Sequence, residues 1–136
     1  MVLFVDGKPS RSGYRKFRIR TVQGIDDYEM MKEVVRRRYG GSLAKETPKP
    51  DLIVIDGGKG HLSAAKSELE GLNLAGLPVV SIAKQHEHIF SPGRPNPHVL
   101  APTSNALGLV RRLRDEAHRF AIRYHRSLHR KEVFKS

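Results

Sequence analysis

Leu52 to Ile55 is a short unbroken apolar run that stops at an acid, DLIVID, and is followed by Gly-Gly-Lys-Gly. A run of that length, closed by turn residues, predicts a strand covered on both faces with Asp56 at its tip. Behind it Leu62, Ala65, Leu69 and Leu72 recur at helical spacing, and LPVVSIA is a second apolar run. Strand, helix and strand predict a βαβ unit with its two strands parallel and a right-handed crossover. Upstream, GIDDYEMMKEVVRRRYGG carries Tyr28, Met31, Val35 and Tyr39 at helical period, a stripe that points to core packing rather than a ligand site. Asp26 offers its N-cap, Glu29 the return partner of a capping box, and Gly40-Gly41 its stop.

The ends of the chain are patterned differently. VLFVDGKPS is apolar from Val2 to Val5, while in YRKFRIRTV Phe17 and Ile19 alternate with Lys16, Arg18 and Arg20. The first run reads as a strand buried on both faces and the second as a half-buried strand with a basic outer face. Together they predict a β-hairpin, with Asp6-Gly7 as a tight turn rather than a site. EHIFSPGRPNPHVL predicts two short peripheral strands around a Pro-Gly turn. From Ser104, a candidate cap, the longest helix carries Leu107, Val110, Leu113, Ala117, Phe120, Ala121, Tyr124 and Leu128 as its apolar stripe. No repeat, low-complexity tract or linker interrupts residues 1–136. The pattern therefore predicts a single α/β domain.

Charge changes the picture. Lys and Arg number 25 against 14 Asp and Glu, giving +11. A surplus of that size favours a polyanion, because neutralised phosphates release condensed counterions. The absence of cysteine excludes disulfides and cysteine-ligated zinc or iron–sulfur centres. No apolar run approaches the roughly 20 residues of a membrane span, and MVLFVDGKPS is too short and too soon interrupted for a signal peptide. These features suit a reducing, cytoplasmic setting.

Two residues stand out as candidates for chemistry. Asp56 can cap the helix that starts near His61, or it can ligate a hard divalent cation, since open α/β sheets gather ligands at the carboxyl ends of their strands. Gly57, Gly58 and Gly60 permit close backbone approach and Lys59 can meet a phosphate, although DGGKGHLS has neither P-loop nor dinucleotide-binding spacing. His118 shares a helix face with Arg111 and Arg114, and Arg114 and Arg119 supply phosphate donors beside it. Asp115 and Glu116 can orient the imidazole. Arg36, Arg37 and Arg38 suit either the helix dipole or a phosphate. His86 and His88 place two imidazoles on one side of a strand, but no third ligand follows at a recognisable metal spacing.

Four stretches carry a family resemblance: VLFVDGKPSRSGYRKFRIRTVQGIDDYEMMKEVVRRRY, PDLIVIDGGKGHLSAA, SIAKQHEHIFSPGR and LVRRLRDEAHRFAIRYHR. Across essentially the whole chain the sequence resembles the C-terminal nuclease domain of the UvrC family of excinucleases. IDGGKG and RDEAHRFAI together are highly specific. The resemblance implies an RNase H-like mixed sheet with flanking helices. It also implies the 5′ incision in damaged DNA during nucleotide excision repair, at a site of two aspartates and a histidine around Mg²⁺ or Mn²⁺. Asp56 matches the second aspartate and His118 the histidine. Lys59, Arg111, Arg114 and Arg119 are then the candidate DNA contacts, and a UvrB-type protein the partner in the full-length family.

The family's first catalytic aspartate lies on a strand just before the segment matching Leu3–Pro9, and Asp6 matches the hairpin turn instead. The chain therefore reads as a fragment lacking that first, central strand. It also lacks the GIY-YIG nuclease domain, the UvrB-binding segment and the helix-hairpin-helix repeats. An unfilled slot beside DLIVI leaves backbone groups to be paired, by local rearrangement or by a strand from another chain, or else leaves the fold poorly stable. Two functions follow: a metal-dependent endonuclease domain, or a non-catalytic remnant that binds DNA or a repair partner through its basic surface.

Overall fold

The computed structural model describes residues 1–17, 26–45 and 48–135. Its elements are β1 (Phe4–Val5), β2 (Lys8–Pro9), α1 (Asp27–Tyr39), β3 (Ile53–Asp56), α2 (Lys59–Gly71), β4 (Val79–Ile82), β5 (Ile89–Phe90) and α3 (Asn105–Lys135). Single 3-10 turns span Arg11–Gly13 and Ser42–Lys45. The chain divides into two compact units, one of Ile19–Leu100 and one of Met1–Arg18 with Ala101–Ser136.

The first of these units is the predicted βαβ arrangement with a helix before it and a strand after it. β3 and β4 are parallel, with Ile53 opposite Val79 and Asp56 opposite Ile82, and β5 joins β4 antiparallel. The sheet is therefore mixed, in the order β3-β4-β5. Val35, Ile53, Ile55, Leu62, Ala65, Leu69 and Val79 form its core, with Met31, Tyr39 and Phe90 packed against them. Strand alternation sends Ile53 and Ile55 toward the helices and Val54 and Asp56 to the other face. Among the described residues β3 has a strand neighbour on one side only. The sheet is an α/β mixed sheet consistent with an RNase H-like fragment.

Local chemistry sets the helix ends. Asp26 accepts from the Glu29 amide at 3.1 Å and caps α1. The Glu29 carboxylate faces Lys32 Nζ at 3.4 Å, so half of the expected capping box becomes an i,i+3 ion pair. α2 starts at Lys59 behind Gly58 and ends in a Schellman motif. Asn73 takes φ 60° there, and the Leu74 and Asn73 amides donate to the carbonyls of Leu69 and Glu70. The β4–β5 connection closes with Ala83 N–H on the His88 carbonyl.

The arginines at the end of α1 are structural. Arg36 reaches Glu68 of α2 at 3.4 Å and Arg37 reaches the fully buried Glu33 at 3.4 Å. Arg38 is itself buried, lies over the Tyr39 ring at 4.6 Å and donates to the Pro48 carbonyl. Ser81, fully buried, has no partner for its hydroxyl among the described residues. A buried hydroxyl without a partner costs about 1–3 kcal/mol. Ser81→Ala is therefore expected to be neutral or to stabilise by about 1 kcal/mol in urea denaturation.

The second unit holds the largest departure from expectation. Asp6 (φ 51°) and Gly7 (φ 78°) do form the tight turn, and it pairs β1 with Lys8-Pro9. Arg15 comes back against Met1 through paired backbone bonds of 3.0 and 3.2 Å, so the start of YRKFRIRTV does return to the first run. β1 is accordingly not buried on both faces, and Val5 is 51% exposed. Arg18, Ile19 and Arg20 of the expected second strand lie outside the described residues.

α3 starts as expected, its Leu107 amide donating to the Ser104 hydroxyl at 3.1 Å. Within this unit Tyr14 packs edge-on against Phe120 at 5.2 Å, Lys16 lies over the Tyr124 ring, and Arg112 donates to the Gly7 carbonyl. Among the described residues no helix is long and apolar enough to cross a membrane.

Candidate active site

Asp56 ends β3 at the carboxyl end of the parallel pair, on the sheet face away from α2. The Gly57 amide donates to the Ile82 carbonyl at 3.0 Å, which ties the turn to β4 at the tip. The carboxylate is exposed and has no hydrogen-bond or ion-pair partner among the described residues. It does not cap α2, whose N-cap is Gly58 with no side-chain bond. Of the two readings the sequence left open, the cap is therefore not the one realised.

The glycines of the loop have distinct duties. A Cβ on Gly57 would come within 2.6 Å of the His61 ring, and one on Gly60 would collide with the end of the Tyr28 side chain. Tyr28 and His61 meet edge-on at 4.9 Å. The two glycines thus make room for protein side chains that press against the loop backbone. A Cβ on Gly58 would meet nothing within 4 Å, so only that glycine leaves open space. Tyr28 and His61 are the residues that sequence reasoning missed here. The spaced glycines were the available signal, but Tyr28 is distant in sequence and its approach depends on how α1 packs on α2.

Lys59 projects on the α2 side, its Nζ 5.3 Å from the Phe90 ring centre. The structure thus groups Asp56 and Lys59 in one unit, while His118, Arg111, Arg114 and Arg119 fall on α3 in the other. His118 is exposed, and neither ring nitrogen has a partner among the described residues. Arg114 lies 3.4 Å from Asp115, and its side chain is 25% exposed.

Arg119 is already engaged. It donates two bonds to Glu116, at 3.0 and 2.5 Å, and Glu116 also accepts from the Tyr14 hydroxyl at 3.1 Å. A guanidinium has five N–H donors, so the rest of the fork still faces outward. The Arg119 hydrogen bond, joined by that of Tyr14, holds the Glu116 carboxyl below its ordinary range. Burial, then Glu116, pushes the Tyr14 hydroxyl up.

A lowered carboxyl stabilises above its unfolded-state value and loses that contribution as pH falls through the folded one. The raised Tyr14 contributes below its ordinary value and loses its effect as pH rises through the folded one. Glu116→Gln is expected to lower the melting temperature slightly at neutral pH. The gap from the parent should close in acid, below the usual glutamate range. Melting curves across that range check this, and a pH-independent gap would remove the ion pair from the explanation.

The parallel β3–β4 pair with β5 antiparallel and helices packed on it is the α/β arrangement of an RNase H-like fragment. The UvrC RNase H endonuclease domain model matches residues 1–122. The chain is 57% identical over 128 residues, 94% of its length, to UvrABC system protein C of Chlorobaculum tepidum. It is 54% identical over its full length to the protein of that name from Prosthecochloris aestuarii, and 50% identical over 99% of its length to the one from Methanococcus maripaludis. The chain belongs to the UvrC RNase H endonuclease domain family. It spans 20%, 22% and 25% of those three relatives, so it corresponds to one segment of a much longer protein.

Proposed function

We propose that the chain is the metal-dependent endonuclease domain of a UvrABC-type system, hydrolysing a phosphodiester on the 5′ side of a DNA lesion in nucleotide excision repair. Its partners on this reading are DNA and a UvrB-type protein, and its place is the cytoplasm. The observation that carries the reading is Asp56, an exposed carboxylate without a partner among the described residues, at the carboxyl end of a strand in a family-matched segment.

The donor chemistry fits Mg²⁺ or Mn²⁺. Such ions are held by one or two carboxylates and keep water and substrate phosphate as their other ligands. Asp56 and His118 are the proposed protein ligands. A bound ion of this kind acidifies water and offsets charge on phosphoryl oxygens. His118, with both ring nitrogens unengaged among the described residues, can take up a proton at either of them, which suits it to proton transfer as well as to ligation. Lys59, Arg111, Arg114 and the outward part of the Arg119 fork are the proposed phosphate contacts. They hold the backbone without reading sequence.

The test is nicking of supercoiled DNA by this chain in Mn²⁺, beside Asp56→Asn and His118→Ala. Nicking that disappears in both variants supports the reading. DNA binding without nicking by the parent chain would instead favour a domain that only docks on DNA.

A further inference from the structure

The turn between β4 and β5 carries a feature outside the site described above. His86 and His88 were expected side by side on a strand, but His86 lies in the turn and His88 directly precedes β5. His86 (φ 61°) and Glu87 (φ 52°) both adopt left-handed backbone, a conformation that favours Gly or Asn. These two left-handed residues fold His86 back toward His88. The ring centres stand 5.5 Å apart with planes tilted by 33°. His88 rests edge-on against Phe90 at 6.5 Å, and Phe90 packs on the core, so one of the two rings is braced from behind. Neither imidazole has a hydrogen-bond partner among the described residues, and His86 is exposed.

That separation has a chemical meaning. With metal–nitrogen bonds of about 2.0–2.1 Å and tetrahedral angles, two imidazoles on one ion hold their ring centres about 5 Å apart. The observed spacing is already close to it. We propose that His86 and His88 form a two-imidazole site for a borderline divalent cation such as Zn²⁺ or Ni²⁺.

Imidazole selects these ions over Mg²⁺ and Mn²⁺, which prefer oxygen. The site lies on the β4–β5 turn, uses neither Asp56 nor His118, and does not rest on their assignment. Among the described residues no group of three or more His, Asp and Glu gathers round an ion, so water or a partner's donor completes the coordination. Two protein ligands leave the affinity well short of that of closed structural zinc sites.

The experiment is calorimetric titration of the chain with Zn²⁺ and with Ni²⁺ in a non-chelating buffer. The titration is run on the Asp56→Asn, His118→Ala double variant, which removes the ligands proposed for the other centre, and one bound ion is expected there. His86→Asn and His88→Ala, each added to that background, should weaken binding about tenfold or more. Asn suits the left-handed backbone, so His86→Asn should melt no lower than the parent, which separates lost ligation from lost folding. No binding by the Asp56→Asn, His118→Ala background, or binding there that survives both His86→Asn and His88→Ala, would overturn the proposal.

Discussion

Asp56→Asn is expected to reduce Mn²⁺-dependent cleavage by about a hundredfold or more, close to 3 kcal/mol of lost transition-state stabilisation, without destabilising the fold. The two halves of that result have separate causes. The asparagine keeps the shape of the side chain but loses the charge that a hard cation needs. Stability is spared because the carboxylate is exposed and has no partner among the described residues, and it caps no helix. Surface changes of that kind stay within about 0.5 kcal/mol. Mn²⁺ binding, followed by electron paramagnetic resonance, should weaken in parallel, by about tenfold or more. If the variant instead melted well below the parent, Asp56 would be holding the fold together, and the assignment to a metal would lose its support.

Leu69→Ala should do the opposite, with a large loss of stability. Leu69 is fully buried on α2, where it packs with Val35, Ile53, Ile55 and Val79. Removing its branched end forfeits transfer free energy and leaves a cavity, together about 3 kcal/mol within a usual span of about 2–5. Against a typical total of about 5–15 kcal/mol this is a large fraction, and the midpoint in urea should fall accordingly. Leu52→Ala makes the comparison sharp. Leu52 is 48% exposed, just before β3, and its truncation should cost about 0.5 kcal/mol or less. Equal losses at the two positions would show that the core is not centred on α2.

The contrast between Asp56 and Leu69 marks what a linear reading reaches. Helical period located α1, α2 and α3, and short continuous apolar runs located β3 and β4, although β3 turns out to have one exposed position, Asp56, on its second face. A carboxylate directly after an apolar run reported its own place at a strand tip. The reading missed the short second arm of the N-terminal turn, where Asp6-Gly7 closes on Lys8-Pro9. There the turn decided the pairing, and a proline next to it looked like the end of a strand rather than a member of one.

It also lost the buried charges. Glu33 and Arg38 sit on the helix that carries the visible apolar stripe, yet they are more buried than Tyr28, which belongs to that stripe. Their burial depends on neighbouring charged and aromatic groups, Arg37 for Glu33 and Tyr39 for Arg38, and a hydropathy pattern does not register such partners. The same is true of His86 and His88, where left-handed backbone changed the positions that a strand would have given them.

The open space at Gly58 gives the chain a practical handle. Its backbone, at φ −92° and ψ −161°, is one that any side chain adopts, and nothing stands where a Cβ would go. The natural sequence contains no cysteine. Gly58→Cys would therefore create a unique thiol two residues from Asp56, at the head of α2. The positive end of that helix and the adjacent Lys59 favour thiolate, so a maleimide dye should attach there quickly and at one position. A fluorophore so placed would report the arrival of a cation or a nucleic acid at the strand tip in real time.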